Sequence, residues 1–190
     1  MYLEEAGELL DEEIHIYHSS EVKSATIKDS GYDGTALKIK KGNKEEIYVI
    51  SQGSKDNKDW EYNLSGLFAG QVADQAYATA EFEREALNHF NVADEINTIG
   101  LSHSLAHNNN TTAHLLFDTF DEVFSVNGTQ TNYYQLFNSD IDFEEKVTEE
   151  FSIGTKYNSI YDIPPEELHA FAVDFYSDKS ENITQYGFNE

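Results

Sequence analysis

The run from Ile96 to Leu101, followed by Ser102-His103-Ser104-Leu105-Ala106, constrains the fold of this sequence most. An apolar, β-branched run leads directly into two serines, and the segment after them, up to Leu116, has the spacing of an amphipathic helix. The pattern predicts a strand, a tight turn and a helix, with a serine at the turn. That is the layout of a nucleophile elbow.

Either serine of this stretch fits the turn. A serine hydroxyl attacks a substrate only when a base takes its proton and backbone N–H groups stabilise the oxyanion. A sharp strand-to-helix turn exposes the side chain and starts a helix whose free N–H groups point to the same place. We favour Ser104 over Ser102, because Ser104 leaves residues 96–101 as an unbroken strand and places the small Ser102 and Ala106 on either side of the turn.

Length, charge and cysteine content narrow the class of protein. The 190 residues suffice for one domain with its own core. A net charge of −24, from 36 acidic and 12 basic residues, disfavours nucleic acid and favours a basic partner. With no cysteine, disulfides and thiol catalysis are excluded. No apolar run approaches the ~20 residues of a transmembrane helix, and the acidic amino terminus argues against a conventional signal peptide.

The order of patterns along the chain predicts two parts. Residues 1–20 have helical spacing and are expected to form an acidic N-terminal helix, and residues 21–190 form the main domain. In the main domain, strands are predicted over 22–30, 35–41, 46–51, 96–101, 122–128 and 170–176, and helices over 71–90 and 138–150, with a further helix starting at 164–165.

Strands and helices alternate from Ile47 to Val126. This alternation predicts an α/β fold with a mostly parallel sheet and helices on both faces. Ligands of such sheets bind at the carboxyl ends of the strands. The loops at Gly53-Ser54, Ser104 and Asn127-Gly128 all follow strands, so we expect them to converge on one site.

Three of these segments resemble class 3 (fungal-type) lipases. Gln52-Gly53-Ser54 with Asp59-Trp60 resembles their arginine-glycine-threonine/serine and aspartate-tryptophan box, and Ser102-His103-Ser104-Leu105-Ala106 resembles their Gly-His-Ser-Leu-Gly. The strand that ends at Gly128 stands where theirs ends in a glycine. More narrowly, the sequence is similar to lipase-like domains of Gram-positive bacteria, some of which belong to toxins exported by the type VII system.

The resemblance implies an α/β-hydrolase-like domain that cleaves acyl esters of lipids by a Ser-His-Asp mechanism. Carried over by position, Ser104 is the nucleophile and the N–H groups of Ser54 and Leu105 hold the oxyanion. Asp178 is the expected acid, and Asp162 is the alternative. An apolar wall for the acyl chain is expected from five residues: Leu67, Phe68, Tyr133, Tyr134 and Phe137.

The catalytic histidine of these lipases follows the acid, but no histidine follows Asp178 in this sequence. Three readings stay open. The chain is a fragment truncated at its C-terminus, His169 serves from an unusual position, or the domain is an inactive hydrolase-like interaction module. The position of Asp178 close to Glu190 favours the fragment.

The resemblance also bears on partners and location. It implies a lipid or ester substrate, an inhibitor, immunity or secretion partner protein, and a location in the cytoplasm or export by a type VII-like route. No cofactor is expected, and no metal. His103 and His107 have the spacing of a zinc-binding His-Glu-x-x-His motif, but Ser104 occupies the position of its glutamate.

Overall fold

A computed structural model describes residues 13–52, 73–92 and 96–187. In these ranges the chain forms one six-stranded sheet whose spatial order is the chain order. The strands are β1 (Glu13–His18), β2 (Gly34–Lys41), β3 (Lys44–Ser51), β4 (Asn97–His103), β5 (Glu122–Val126) and β6 (Ile183–Tyr186). Strands β1 to β3 pair antiparallel, whereas β3 to β6 pair parallel. The predicted α/β class with a mostly parallel sheet is confirmed.

In the described ranges helices lie between all consecutive strands except β2 and β3. They are α1 (Ala25–Asp29), α2 (Asp74–Phe90), α3 (Ala106–Phe117), α4 (Tyr133–Ser139), α5 (Ile141–Glu150), α6 (Pro165–Phe175) and α7 (Ser177–Ser180). Helix α2 leads from β3 to β4, α3 leads from β4 to β5, and α4 to α7 lie between β5 and β6. Among the described residues, no helix is both long and apolar enough to cross a membrane.

The described helices gather on one face of the sheet. Each crossover connection between parallel strands leads to the adjacent strand, always in the same direction across the sheet. Because such crossovers are right-handed, their helices lie on the same side of the sheet. On that side Ile47 and Val49 of β3 pack against Phe82 and Ala86 of α2. On the other side Ile16 is 65% exposed. The prediction of helices on both faces therefore does not hold for the described part of the chain.

The N-terminal part of the prediction also needs correction. Residues 13–18 form β1 and pair with β2, so the described end of the predicted helix over 1–20 is a strand of the main domain. The alternation of Ile14 and Ile16 with polar neighbours has a period of two, which suits a strand. Residues 1–12 lie outside the described ranges. The strand predicted over 22–30 is wrong as well, because Ser24 caps the short helix α1 there.

The strand predicted over residues 170–176 is a helix, α6. Pro165 stands in its first turn, and Leu168, Ala172 and Tyr176 recur at a spacing of four on its buried side. This periodicity outweighs the apolar run that suggested a strand. The strand that follows β5 is instead β6, and it begins after Asp178. The helix predicted over 138–150 is confirmed by α5 and the end of α4.

Candidate active site at the carboxyl end of strand β4

Ser104 lies at the turn between β4 and α3, and its side chain is exposed. Its backbone has φ of +56°, in the left-handed region that residues other than glycine rarely adopt. The Ser104 N–H donates to the carbonyl of Val126, at the end of β5, at 3.2 Å. The turn is therefore sharp, strained and tied to the neighbouring strand, and the conformation presents the hydroxyl at the edge of the sheet.

Ser102 occupies a different environment. It lies within β4, opposite Ser51 of β3 and Ser125 of β5, and its hydroxyl is 3.5 Å from the carbonyl of Phe124. A side chain within a strand that has a neighbour on each side is restrained by the residues opposite it. Of the two serines, the structure places Ser104 at the turn.

The loop after β5 is bound to the same turn. The carbonyl of Ser104 accepts hydrogen bonds from the N–H groups of His107 and Thr129, both at 3.2 Å. The first bond starts α3, and the second fixes the loop that leaves β5. Two of the three loops predicted to converge on the site therefore meet at Ser104. The third, at Gly53-Ser54, lies outside the described residues.

A backbone N–H group suited to an oxyanion follows the serine. Leu105 precedes the first residue of α3, and in the described part of the chain its N–H donates to no acceptor. The free N–H groups at a helix start carry partial positive charge. Leu105 therefore keeps a free N–H at the start of α3, and its role as an oxyanion donor stays a prediction. The predicted second donor, Ser54, lies outside the described residues.

A buried polar network beneath the turn was missed by the sequence analysis. The hydroxyl of Ser51, at the end of β3, donates to Asn110 Oδ1 at 2.5 Å, and Asn110 Nδ2 donates to the carbonyl of Leu101 at 3.2 Å. Asn110 is fully buried. The polar residues 108–112 belong to α3, and the side chain of Asn110 connects this helix to β3 and β4. A polar run on a helix between two central strands was the available signal.

His107 is a structural residue in this arrangement. It is buried, its Nδ1 lies 3.2 Å from the hydroxyl of Thr111, and its ring lies against Gly128. Burial lowers the pKa of His107, which favours the neutral imidazole. His103 is exposed at the end of β4.

His169 borders a cavity beside the loop that follows β5. The cavity has a volume of about 570 Å³, and its walls include Gln130, Tyr133, Tyr134 and His169. Gln130 follows Thr129, the residue bonded to Ser104. The His169 ring is 5.5 Å from that of Tyr133 between centroids. Of the predicted acyl wall, Tyr133 and Tyr134 line this cavity, Phe137 packs in the cluster of α4 to α6, and Leu67 and Phe68 lie outside the described residues.

Asp178 lies toward the end of the sheet where β4 and β5 begin, opposite the end that carries Ser104. It is exposed on α7, next to Lys179, whose Nζ donates to the carbonyl of Leu115 at 2.8 Å near the end of α3. Ser104 precedes the start of α3, and a helix of 12 residues is about 18 Å long. The structure therefore does not bring Asp178 to Ser104. The expectation failed because it took residues 170–176 for a core strand with Asp178 at its carboxyl end.

Asp162, the alternative acid, has a capping role. It ends a short 3₁₀ turn over Ile160–Asp162, and its Oδ2 accepts hydrogen bonds from the N–H groups of Asn158 and Ser159 at 3.0 and 3.1 Å. In the described ranges, no three His, Asp or Glu side chains are placed to hold a metal ion, and His107 faces Thr111 and Gly128.

Comparisons with known proteins identify a family and one relative. The family described as "Domain of unknown function (DUF6792)" matches residues 1–190. The uncharacterized protein YvcB of Bacillus subtilis (strain 168) is 40% identical over 198 residues, which cover 97% of this chain and 31% of YvcB. The chain therefore spans about a third of the length of this relative. No solved structure matches the chain significantly.

Proposed function

The chain belongs to the DUF6792 family, and we propose that this domain is a serine ester hydrolase of the α/β-hydrolase kind that acts on acyl esters of lipids. The observation that carries the proposal is the conformation of Ser104. An exposed serine with φ of +56° stands between a central parallel strand and a buried helix. A strained turn of this type persists only when the surrounding structure holds it, and such turns concentrate at functional sites.

The residues around Ser104 supply two of the parts that acyl transfer needs. The Ser104 hydroxyl attacks the ester carbonyl, and the alkoxide leaves with the proton that a base has taken from the serine. The N–H of Leu105 donates to the oxyanion, and the resemblance to lipases assigns the same role to the N–H of Ser54. Water then releases the acid and restores the serine hydroxyl.

The base in this proposal is a histidine that lies outside α3. In the described residues no histidine hydrogen-bonds to the Ser104 hydroxyl, and His107 is committed to Thr111. His169 is exposed on the wall of the 570 Å³ cavity, which Gln130, the residue after Thr129, also lines. Catalytic hydrogen bonds are often long before substrate binds. We therefore assign the proton transfer to His169, which is one of the three readings that the sequence left open.

The substrate class follows from the same cavity. Tyr133, Tyr134 and Leu168 give it apolar walls, while Gln130 and Glu166 are polar. A volume of about 570 Å³ lies within the range of pockets for small organic molecules. An acyl chain fits the aromatic side. The expected export route and inhibitor partner remain predictions.

Labelling with a fluorophosphonate probe tests the proposal. The full chain is expected to form a covalent adduct, which Ser104→Ala abolishes. Ser102→Ala is the matched control, because Ser102 lies inside β4 and its loss should leave labelling intact. His169→Gln should slow labelling at pH 7 by at least about 10²-fold, the lower end for general base catalysis. Labelling that survives Ser104→Ala would overturn the assignment of the nucleophile.

Among the described residues no histidine hydrogen-bonds to the Ser104 hydroxyl, and this observation favours one other function. An inactive hydrolase-like domain that binds a partner protein would keep the turn without a base. Absence of labelling in the folded full chain, together with no hydrolysis of p-nitrophenyl butyrate, would support this second function and overturn the first.

A further inference from the structure

A second cavity opens at the edge of the sheet where β4 and β5 begin. Its volume is about 1000 Å³, and its walls include Thr98 at the start of β4, Asp121 just before β5, and one side of α2. Ser104 follows the opposite end of β4. Because β4 has seven residues and a strand rises about 3.3 Å per residue, the two sites are about 20 Å apart.

Glu83 on α2 is a buried acid on the wall of this cavity. Only 8% of its surface is exposed, and in the described part of the chain it forms no hydrogen bond and no ion pair. A carboxylate that is buried to this extent normally has a partner, since desolvation of a charge is costly. An unpaired one that faces an open cavity points to a partner from outside the chain.

Asp121 is a second acid on the wall of this cavity, and its charge makes a charge on Glu83 more costly. Asp121 is held in place by Thr98, whose N–H and hydroxyl donate to Asp121 Oδ2 at 2.7 and 3.1 Å. Burial and the charge of Asp121 raise the pKa of Glu83 to about 7. Arg84 lowers it only in part. A positive group between the two carboxylates would remove both penalties.

The rest of the lining favours a cation with an apolar part. Besides Glu83, the carboxylates on the walls belong to Asp29, Asp74, Glu81, Asp118 and Asp121, and Arg84 is the one basic residue among the described residues of the lining. Tyr77 and Phe117 add two partly exposed rings whose centroids are 5.2 Å apart. Such rings bind alkyl chains and attract cations.

The same lining distinguishes an organic cation from a metal ion. Metal ions need several converging ligands, and no such group of three His, Asp or Glu side chains occurs in the described ranges. A cavity of about 1000 Å³ is also far larger than one ion requires and matches a small organic ligand.

We propose that this cavity binds an organic cation, an alkylammonium or alkylguanidinium group, with Glu83 as its buried counter-ion and Tyr77 and Phe117 beside its alkyl chain. The source of such a group is either a free polyamine-like molecule or a basic side chain of a peptide. The site lies at the opposite edge from Ser104, so it goes beyond the proposed hydrolase activity.

Isothermal titration of the full chain tests this proposal with two probes, agmatine and the peptide acetyl-Gly-Arg-Gly-amide. We expect saturable binding of at least one probe in the millimolar range or below. Glu83→Gln should weaken it by about ten-fold or more, as expected for the loss of a charge-assisted hydrogen bond. Tyr77→Ala should weaken it by about three-fold, in line with an exposed cation–π contact.

Glu144→Gln is the matched control. Glu144 is exposed on α5, outside the cavity, and its replacement likewise removes one carboxyl group from the chain. It should change the affinity by less than about two-fold. Equal weakening by Glu83→Gln and Glu144→Gln would show general attraction to an acidic chain and overturn the proposal, as would the absence of saturable binding by both probes.

The two probes also separate the sources of the cation. Tighter binding of agmatine indicates a free small molecule, and tighter binding of the peptide indicates a basic side chain; both support the proposal. Folding is not a confounding factor, because glutamine has the shape of glutamate and carries no charge to desolvate. Since binding is read without any activity, failure of this proposal leaves that of the hydrolase untouched.

Discussion

The imidazole ring of His107 lies directly against Gly128, so that a Cβ atom on Gly128 would be 2.5 Å from the ring atoms Cγ and Cδ2. His107 belongs to the first turn of α3, and Gly128 belongs to the loop after β5. The next residue of this loop, Thr129, donates its N–H to the carbonyl of Ser104. This contact therefore sets how closely the loop approaches the turn that carries Ser104. Only glycine leaves room for it.

Replacement of Gly128 tests this contact. Gly128→Ala should lower the free energy of unfolding by about 1–3 kcal/mol, because a methyl group forced into a filled space displaces the ring or the loop. Denaturation in urea measures the change. Gly187→Ala is the control, since a Cβ there meets no atom within 4 Å, and it should change stability by less than about 0.5 kcal/mol. Equal effects of the two changes would contradict the close packing.

The backbone of Ser104 gives a second prediction. Ser104→Gly should raise the free energy of unfolding by about 1 kcal/mol, because glycine adopts a positive φ without the strain that a Cβ causes. Ser152→Gly serves as the comparison, since Ser152 has φ of +53° in an exposed turn and should show a similar gain. A gain at Ser152 without one at Ser104 would show that the turn is unstrained. Thermal unfolding monitored by circular dichroism measures both.

Asn110 gives a third prediction, on the network under the turn. Asn110→Ala removes the partner of both the Ser51 hydroxyl and the Leu101 carbonyl. The free energy of unfolding should therefore fall by about 2–4 kcal/mol. Asn88→Ala is the control, because Asn88 is exposed on α2 and should tolerate alanine with a change below about 0.5 kcal/mol. Equal losses would show that Asn110 contributes no more than a surface residue.

The central part of the fold could be predicted from local patterns. Apolar and polar residues alternate on both sides of Gly42, and this alternation predicts the hairpin of β2 and β3. An apolar run that ends in small polar residues predicts the turn at Ser104. These signals are local, and the covalent order of strand, turn and helix fixes where the serine lies. The same holds for Pro165, which marks the start of α6.

The partners of Ser104 could not be predicted in the same way, because they depend on distant elements. The predicted position of Asp178 depended on residues 170–176 being a strand. Because these residues form a helix, Asp178 lies toward the end of the sheet opposite to Ser104. Glu83 gave no signal at all in the sequence. Its burial results from the packing of α2 over the starts of β4 and β5, which no local pattern encodes.

Glu83 gives the fourth prediction, on the pH dependence of stability. The pKa of Glu83 is raised from its ordinary value of 4.5 to about 7 by burial and by Asp121, against the smaller effect of Arg84. Below pH 4.5 the acid is protonated in both the folded and the unfolded chain. Between pH 4.5 and 7 the unfolded chain releases the proton first, so the wild type loses stability as the pH rises, and above pH 7 the loss is complete.

Glu83→Gln carries no such proton and should escape this loss. The variant and the wild type should differ little near pH 4.5, and the variant should be more stable by up to about 3 kcal/mol at pH 8. Urea unfolding of both proteins at a series of pH values measures the difference in their free energies of unfolding. The contribution of the other acids is the same in both proteins and cancels in this difference. Glu144→Gln, at an exposed site, should stay parallel to the wild type at every pH. A difference between Glu83→Gln and the wild type that stays constant from pH 4.5 to 8 would mean that Glu83 is not an unpaired buried acid.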